Sequence, residues 1–214
     1  MKNYGHKKDE LYISVDIEAS GKDLNKHSMI ALGSCVVGNT RKSFYRELKP
    51  LSPEYDLNSI KVASKGLECL RELRHLPEFN PEDKRFNPGS VLAELQRKGY
   101  HPNQVMHEYN KWLMDVSNEK KPIFIAFNLS LDWKFVDDYF NVYLGENPFG
   151  LGTLDIKTYF MGKLDTEFAG TTKKKIKEFL GYEGKHTHHA LEDAIEQAEI
   201  FYKLKILNIS REEA

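Results

Sequence analysis

Cysteine is nearly missing from this chain: Cys35 and Cys69 are the two among 214 residues. Nothing here suggests a disulfide framework or a zinc quartet. Cys35 lies inside an apolar run and reads as a small core residue. Charge imbalance is missing too. The 31 Lys and Arg face 32 Asp and Glu, for a formal net charge of −1. That excludes a bulk basic footprint, so any contact with a polyanion has to be local. No stretch reaches the roughly 18 apolar residues of a membrane helix. The opening MKNYGHKKDE has no apolar core of a secretory signal. The expected location is a reducing cytoplasm, with no membrane partner. No internal repeat is present. What remains is an ordinary composition, 40% hydrophobic and 29% charged. The length suits one domain with residues to spare for an insertion.

The hydrophobic pattern sets the order of elements. Residues 1–10 are polar and expected to be flexible. Residues 11–17 (LYISVDI) read as a central strand, 29–37 (MIALGSCVV) as a second and 43–48 as a third, with a turn at Gly38-Asn39. Pro50 and Pro53 break the pattern, and 55–70 has room for a short helix. Residues 71–90 (RELRHLPEFNPEDKRFNPGS) are rich in charge, Pro and Asn and have no sustained apolar period. They read as an insertion in a single domain spanning 11–207. Helices are expected over 91–98, 103–116, 130–143, 171–180 and 190–207, with strands at 122–127 and 152–156. A meander followed by alternating helices and strands is a mixed α/β class, not a run of βαβ units.

Asp16 and Glu18 are the most telling pair. They sit two apart at the end of the first strand, so both point to one face. Like charges this close are costly unless a cation lies between them. A hard cation with oxygen ligands, Mg²⁺ or Mn²⁺, suits the pair. Alone, the pair is also compatible with a strand running out into solvated acids. Asp132 opens the helix after the strand PIFIAF, where sites form in open α/β sheets and where acids also favour helix N-termini. His188 and Asp193 lie in HTHHALEDA. They are five apart, about 140° around a regular helix. They therefore share a face only if His188 lies at the helix start or in the loop before it, with Thr187 as the expected N-cap. A zinc reading of His186, His188 and His189 lacks a fourth ligand at a familiar spacing.

Together these four acids and one histidine each stand at an element terminus. The set Asp16, Glu18, Asp132, His188 and Asp193, carried by VDIEASG, FNLSLDWKF and HHALEDA with HSMIALGS between, resembles that of the DEDDh (DnaQ-like) 3′→5′ exonucleases. The likeness covers about residues 11–205. It leans towards the RNase T-like and oligoribonuclease-like RNA trimmers. The resemblance implies a ribonuclease H-like fold: a five-stranded sheet, antiparallel meander then parallel strands, flanked by helices. It implies hydrolysis of single-stranded RNA or DNA from its 3′ end to 5′-mononucleotides, with RNA preferred, and a homodimer. It implies two divalent ions, Mg²⁺ or Mn²⁺, held by Asp16, Glu18, Asp132 and Asp193, with His188 as general base. The chemistry fits these residue types. A phosphodiester is an anion, and paired dications offset the charge that develops during attack. An imidazole titrating near ~6.5 suits a base at neutral pH.

The chain departs from the family pattern at two places. Ala19 follows Glu18 where Thr is usual, and Phe127 stands where His is frequent. Neither is a metal ligand. Both bear on how the terminal nucleotide is gripped. Lys173, Lys174, Lys175 and Lys177 form the one basic cluster, either a solvated helix face or a hold on upstream phosphates. Phe127, Phe149, Phe160 and Phe168 divide between core packing and base stacking. Two other functions use similar acids: a metal-dependent phosphoesterase on small nucleotides, and a non-catalytic module that binds nucleic-acid ends. The intact five-residue set argues against the second.

Overall fold

The structure, a computed structural model, describes residues 9–184 and 186–208. The flexible stretch expected at 1–10 lies mostly outside these residues, and Glu10 already begins the first strand. Five strands form one sheet in the order β3-β2-β1-β4-β5: β1 Glu10–Ala19, β2 Met29–Val36, β3 Asn39–Glu47, β4 Lys121–Ala126 and β5 Thr153–Asp155. The first three pair antiparallel, and β1–β4 and β4–β5 pair parallel. This is the mixed sheet expected from the sequence. Seven helices accompany it among the described residues: α1 Leu57–Ala63, α2 Pro88–Lys98, α3 Pro102–Ser117, α4 Ser130–Leu144, α5 Ile156–Leu164, α6 Lys173–Leu180 and α7 Ala190–Ile206.

Alternation along β1 decides which residues face which layer. Ile13, Val15, Ile17 and Ala19 join the core under α3 and α4, with Tyr109, Leu113, Phe135 and Phe140. Asp16 and Glu18 fall on the opposite face, the side covered by α7. There Ile200, Phe201 and Leu204 pack with Ile123 and Ile125 of β4. Full burial of each such side chain contributes about 1.5–3 kcal/mol. Phe201→Ala would cost about 3–5 kcal/mol. A third cluster joins Ile30 and Ala31 of β2 to Ile60, Leu70, Leu92 and Ala190. Residues 71–90 follow a path of turns with a 3-10 turn at Pro77–Phe79. Phe79 and Phe86 from this stretch pack against the third cluster.

Two differences from the sequence reading have local causes. β3 begins at Asn39, not 43, because Gly38 takes φ +80° and the chain reverses within two residues. Helix α5 stands where no element was assigned. Asp155 caps it, its carboxylate accepting the Thr158 N–H at 2.8 Å. The signal was an Asp-x-x-Thr at the end of a three-residue strand.

Candidate active site

The register of β1 and β2 opposes Asp16 to Gly33 and Glu18 to Ala31. Gly33 has a reason to be glycine. A Cβ there would run into the backbone of Ala190 and Leu191, so its absence lets the start of α7 lie directly on β2 beside Asp16. Gly66, just after α1, does the same for the preceding loop: a Cβ there would meet the carbonyl of His188. The His188 turn is thus seated backbone to backbone.

Asp193 is fully buried in the first turn of α7. Its Oδ1 accepts the Thr187 N–H at 2.9 Å, and its Oδ2 accepts the His188 N–H at 3.0 Å. These bonds curl the loop back over the helix start. They hold His188 at φ +59°, a left-handed conformation that a residue with a Cβ adopts only when its surroundings impose it. His188 lies in the loop, as its spacing from Asp193 requires. The N-cap, however, is His189, whose Nδ1 accepts the Glu192 N–H; Thr187 instead bonds Asp193. The His189 ring stacks on Tyr45 at 4.4 Å.

Asp16, Glu18, Asp132, His188 and Asp193 line one groove, so all five residues singled out from the sequence converge. Ligand atoms of Asp16, Glu18 and Asp193 lie within 4.8 Å of one another. Asp132 is buried, and its Oδ1 accepts the Ile17 N–H at 3.0 Å, which ties α4 to β1 between the two β1 acids. Burial, then the neighbouring Asp193 charge, pushes the Asp16 carboxyl up to about 7. Burial and Asp16 push Glu18 and Asp132 well above the ordinary carboxylate range. Asp193 goes the other way. Burial opposes ionisation, but the His186 and Thr187 bonds outweigh it and hold the group below its usual value. A set of crowded carboxylates with raised pKa values is a site short of positive charge, and it fits a hard divalent cation with oxygen ligands.

Several residues outside those five also shape the site. His186 Nδ1 stands 2.9 Å from Asp193 Oδ2 and 3.6 Å from Glu196 Oε2. Those partners raise the His186 pKa to about 9. Burial, then the His186 charge, lower that of His188. Glu196 is buried and pairs with Lys173 at 3.1 Å and Lys177 at 2.5 Å. The lysine cluster is therefore divided: Lys173 and Lys177 neutralise Glu196, and Lys173 also lines the groove. Gln197, one turn past Asp193, accepts the Phe127 N–H at 2.8 Å and donates to Asp16 Oδ1 at 2.5 Å. Its i+4 spacing from Asp193 was the available signal. Phe127 walls the groove, Phe149 and Phe160 are buried in the two cores, and Phe168 is exposed.

Comparison with solved structures places this sheet and its helices among the DEDDh nucleases. The nuclease domain of 3′hExo, a DEDDh family member bound to rAMP, aligns with a TM-score of 0.64 at 13% identity over 94% of each chain. E. coli Exonuclease I in complex with a dT13 oligonucleotide aligns with a TM-score of 0.60 at 10% identity, over 92% of this chain and 41% of that one. These likenesses define the fold. In sequence, the chain is 33% identical over 193 residues to the 3′-5′ DNA exonuclease Cap18 of Escherichia coli, covering 90% of both. No family model matches. The chain belongs to the DEDDh 3′→5′ exonucleases, enzymes that depend on divalent metal. The lean towards RNase T-like members finds no support in these likenesses. No helix among the described residues is long and apolar enough to cross a membrane.

Proposed function

We propose that the chain removes nucleotides one at a time from the 3′ end of single-stranded nucleic acid, using two Mg²⁺ or Mn²⁺ ions and releasing 5′-mononucleotides. The observation that carries this reading is the convergence of the Asp16, Glu18 and Asp193 carboxylates within 4.8 Å, in a groove shared with Asp132 and His188. DNA comes ahead of RNA, the reverse of the order drawn from the sequence, because the relative at 33% identity is named a DNA exonuclease.

Asp16, Glu18 and Asp193 would hold the ions, and Asp132 would support them from the α4 side. Bound there, the ions supply charge neutralisation at the scissile phosphate and activation of the attacking water. The protein's own part is positioning and proton transfer. Gln197 fixes the rotamer of Asp16: its carbonyl is committed to the Phe127 N–H, so its NH₂ must face the carboxylate. His188 takes the proton of the attacking water. Its lowered pKa keeps the ring neutral near pH 7, the state a general base needs. Lys173, paired to Glu196 beneath it, adds positive charge to the groove wall.

The test uses 5′-labelled single-stranded DNA, single-stranded RNA and duplexes with Mg²⁺ or Mn²⁺. A descending ladder is expected, strongest on single strands. Immediate release of a labelled 5′ mononucleotide, or cleavage of a circular strand, would overturn the polarity. Splitting of a mononucleotide ester with no shortening of any oligomer would point to a small-nucleotide phosphoesterase instead.

A further inference from the structure

The groove does not stop at its acids. Lys157 of α5 also lines it. Its ammonium donates to Asn128 Oδ1 at 3.1 Å and stands 4.3 Å over the centroid of the Phe168 ring. Phe168 is 69% exposed. An exposed ring on a floppy loop would mean little, but this one stands on a closed turn. The Phe168 carbonyl accepts both the Thr171 N–H at 3.1 Å and the Thr171 Oγ1–H at 2.8 Å, and Gly170 N–H donates to Glu167 O at 2.8 Å. Lys175 of α6 donates to the carbonyl of the next residue, Ala169, at 3.0 Å. The result is an exposed aromatic ring, the Lys157 ammonium against it, the Lys175 ammonium at the carbonyl of the next residue, and a hydrogen-bonded base. All of this adjoins the groove through Lys157 and Thr172, which both line it.

That combination suits one occupant. A nucleobase stacks on an aromatic face whatever its identity, and lysines beside the face take the phosphates that flank it. Charge complementarity and continuity with the groove both favour a polyanion carrying flat apolar groups over a peptide or a lipid. We propose that Phe168 is a stacking platform for an upstream base, on the 5′ side of the scissile phosphate, with Lys157 and Lys175 holding the adjoining phosphates. This rests on the exonuclease reading and adds the path of the strand. It also bears on substrate form: a base held in a duplex has no free face to offer, so the platform favours single strands.

The platform can be tested without turnover. Binding of 5′-fluorescein-labelled oligo-dT of two to eight nucleotides is measured by anisotropy, with Ca²⁺ in place of the ions that support cleavage. In the wild type, affinity should step up at the length that reaches Phe168. Phe168→Ala should remove that step, weakening dT8 by about five- to a hundredfold, with a loss that grows with length. Phe168→Trp should restore it. In cleavage assays the same loss should fall on KM for dT8 more than on kcat. Equal affinity of wild type and Phe168→Ala for dT8 would overturn the platform, as would an equal loss on dT2 and dT8. Length-dependent binding through Phe168 with no shortening of any strand would uphold the platform and count against the exonuclease reading, so the two fail separately.

Discussion

His186 Nδ1 and Asp193 Oδ2 stand 2.9 Å apart across the mouth of α7. When no divalent ion is bound, a side-chain cation from the loop holds the carboxylate that such an ion would claim. Asp16, half-buried on the facing strand, makes no ion pair among the described residues; it accepts from the Gln197 amide and feels the Lys173 and His186 charges less than its burial and the Asp193 charge. Asp16 and Asp193 are therefore opposite in their electrostatics, although sequence alone presents them as equals.

Removing their charges should separate them. Asp16→Asn and Asp193→Asn are each expected to abolish nuclease activity. In chelator, Asp16→Asn should melt no lower than wild type, because burial and the Asp193 charge already oppose its ionisation. Asp193→Asn should be less stable by about 1–3 kcal/mol, since it takes from the His186 imidazolium its nearer partner and leaves Glu196 at 3.6 Å. Urea unfolding in EDTA measures both. Near wild-type turnover in either variant would sink the metal-site assignment.

The stability of the chelated protein should fall as pH rises from about 4 to about 9. Four groups act in that direction, Asp16, Glu18, Asp132 and His186, while His188, whose pKa is lowered, acts against them below 6.5. Asp16 has its pKa raised from 3.8 to about 7, so its neutral form favours the fold and that advantage is lost between those values. His186 is raised from 6.5 to about 9, so its contribution is complete below 6.5 and lost as pH passes about 9. Calorimetry in EDTA across this range reads the slope. His186→Gln should flatten its upper part. If stability climbs from pH 6.5 to 9 instead, the His186–Asp193 pair does not hold in solution.

The three loop histidines should part company. His188→Ala is expected to lower turnover by about 10²–10⁴-fold, the usual contribution of a general base, while a divalent ion still raises the melting temperature. His186→Gln should let the ion bind at lower concentration, because a competing cation is gone. A shift to higher concentration would mean that His186 is itself a ligand. His189→Ala should show chiefly as lost stability, through the cap of α7 and the stack on Tyr45.

Gln197→Glu tests the amide that orients Asp16. The change keeps the shape, puts a carboxylate against a carboxylate, and withdraws a donor from the half-buried Asp16 carboxyl, a loss of about 1–3 kcal/mol. Turnover should fall by tenfold or more, with a higher metal requirement. Wild-type metal dependence in this variant would show that Asp16 is held by other contacts.

Much of this was legible because strand and helix periods leave marks in sequence. β1 shows them in Ile13, Val15 and Ile17, which alternate with Ser14, Asp16 and Glu18. The spacing of His188 and Asp193 required a loop position for the histidine, and the left-handed turn supplies one. What could not be read depends on the approach of distant segments. His186, Glu196 and Lys173 are three ordinary polar residues until α6 and α7 bring them together. The choice among Phe127, Phe149, Phe160 and Phe168 is likewise a matter of which layer covers which ring. Phe79 and Phe86 were hidden among prolines and charges because two aromatics seven apart in a turn-rich path make no periodic stripe.

The bond from Gln197 to Asp16 spans 181 positions of the chain. A contact so distant in sequence cannot exist until the C-terminal helix α7 has docked on β1, and closing that loop costs entropy. Until α7 docks, the β1 acids lack both Asp193 and the amide that aims Asp16. A nascent or partly refolded chain can therefore hold most of its sheet and still be inert. Recovery of nuclease activity during refolding should trail recovery of helical signal. In a cell, a hydrolase of nucleic acid that arms itself only on completing its fold does no damage while it is being made.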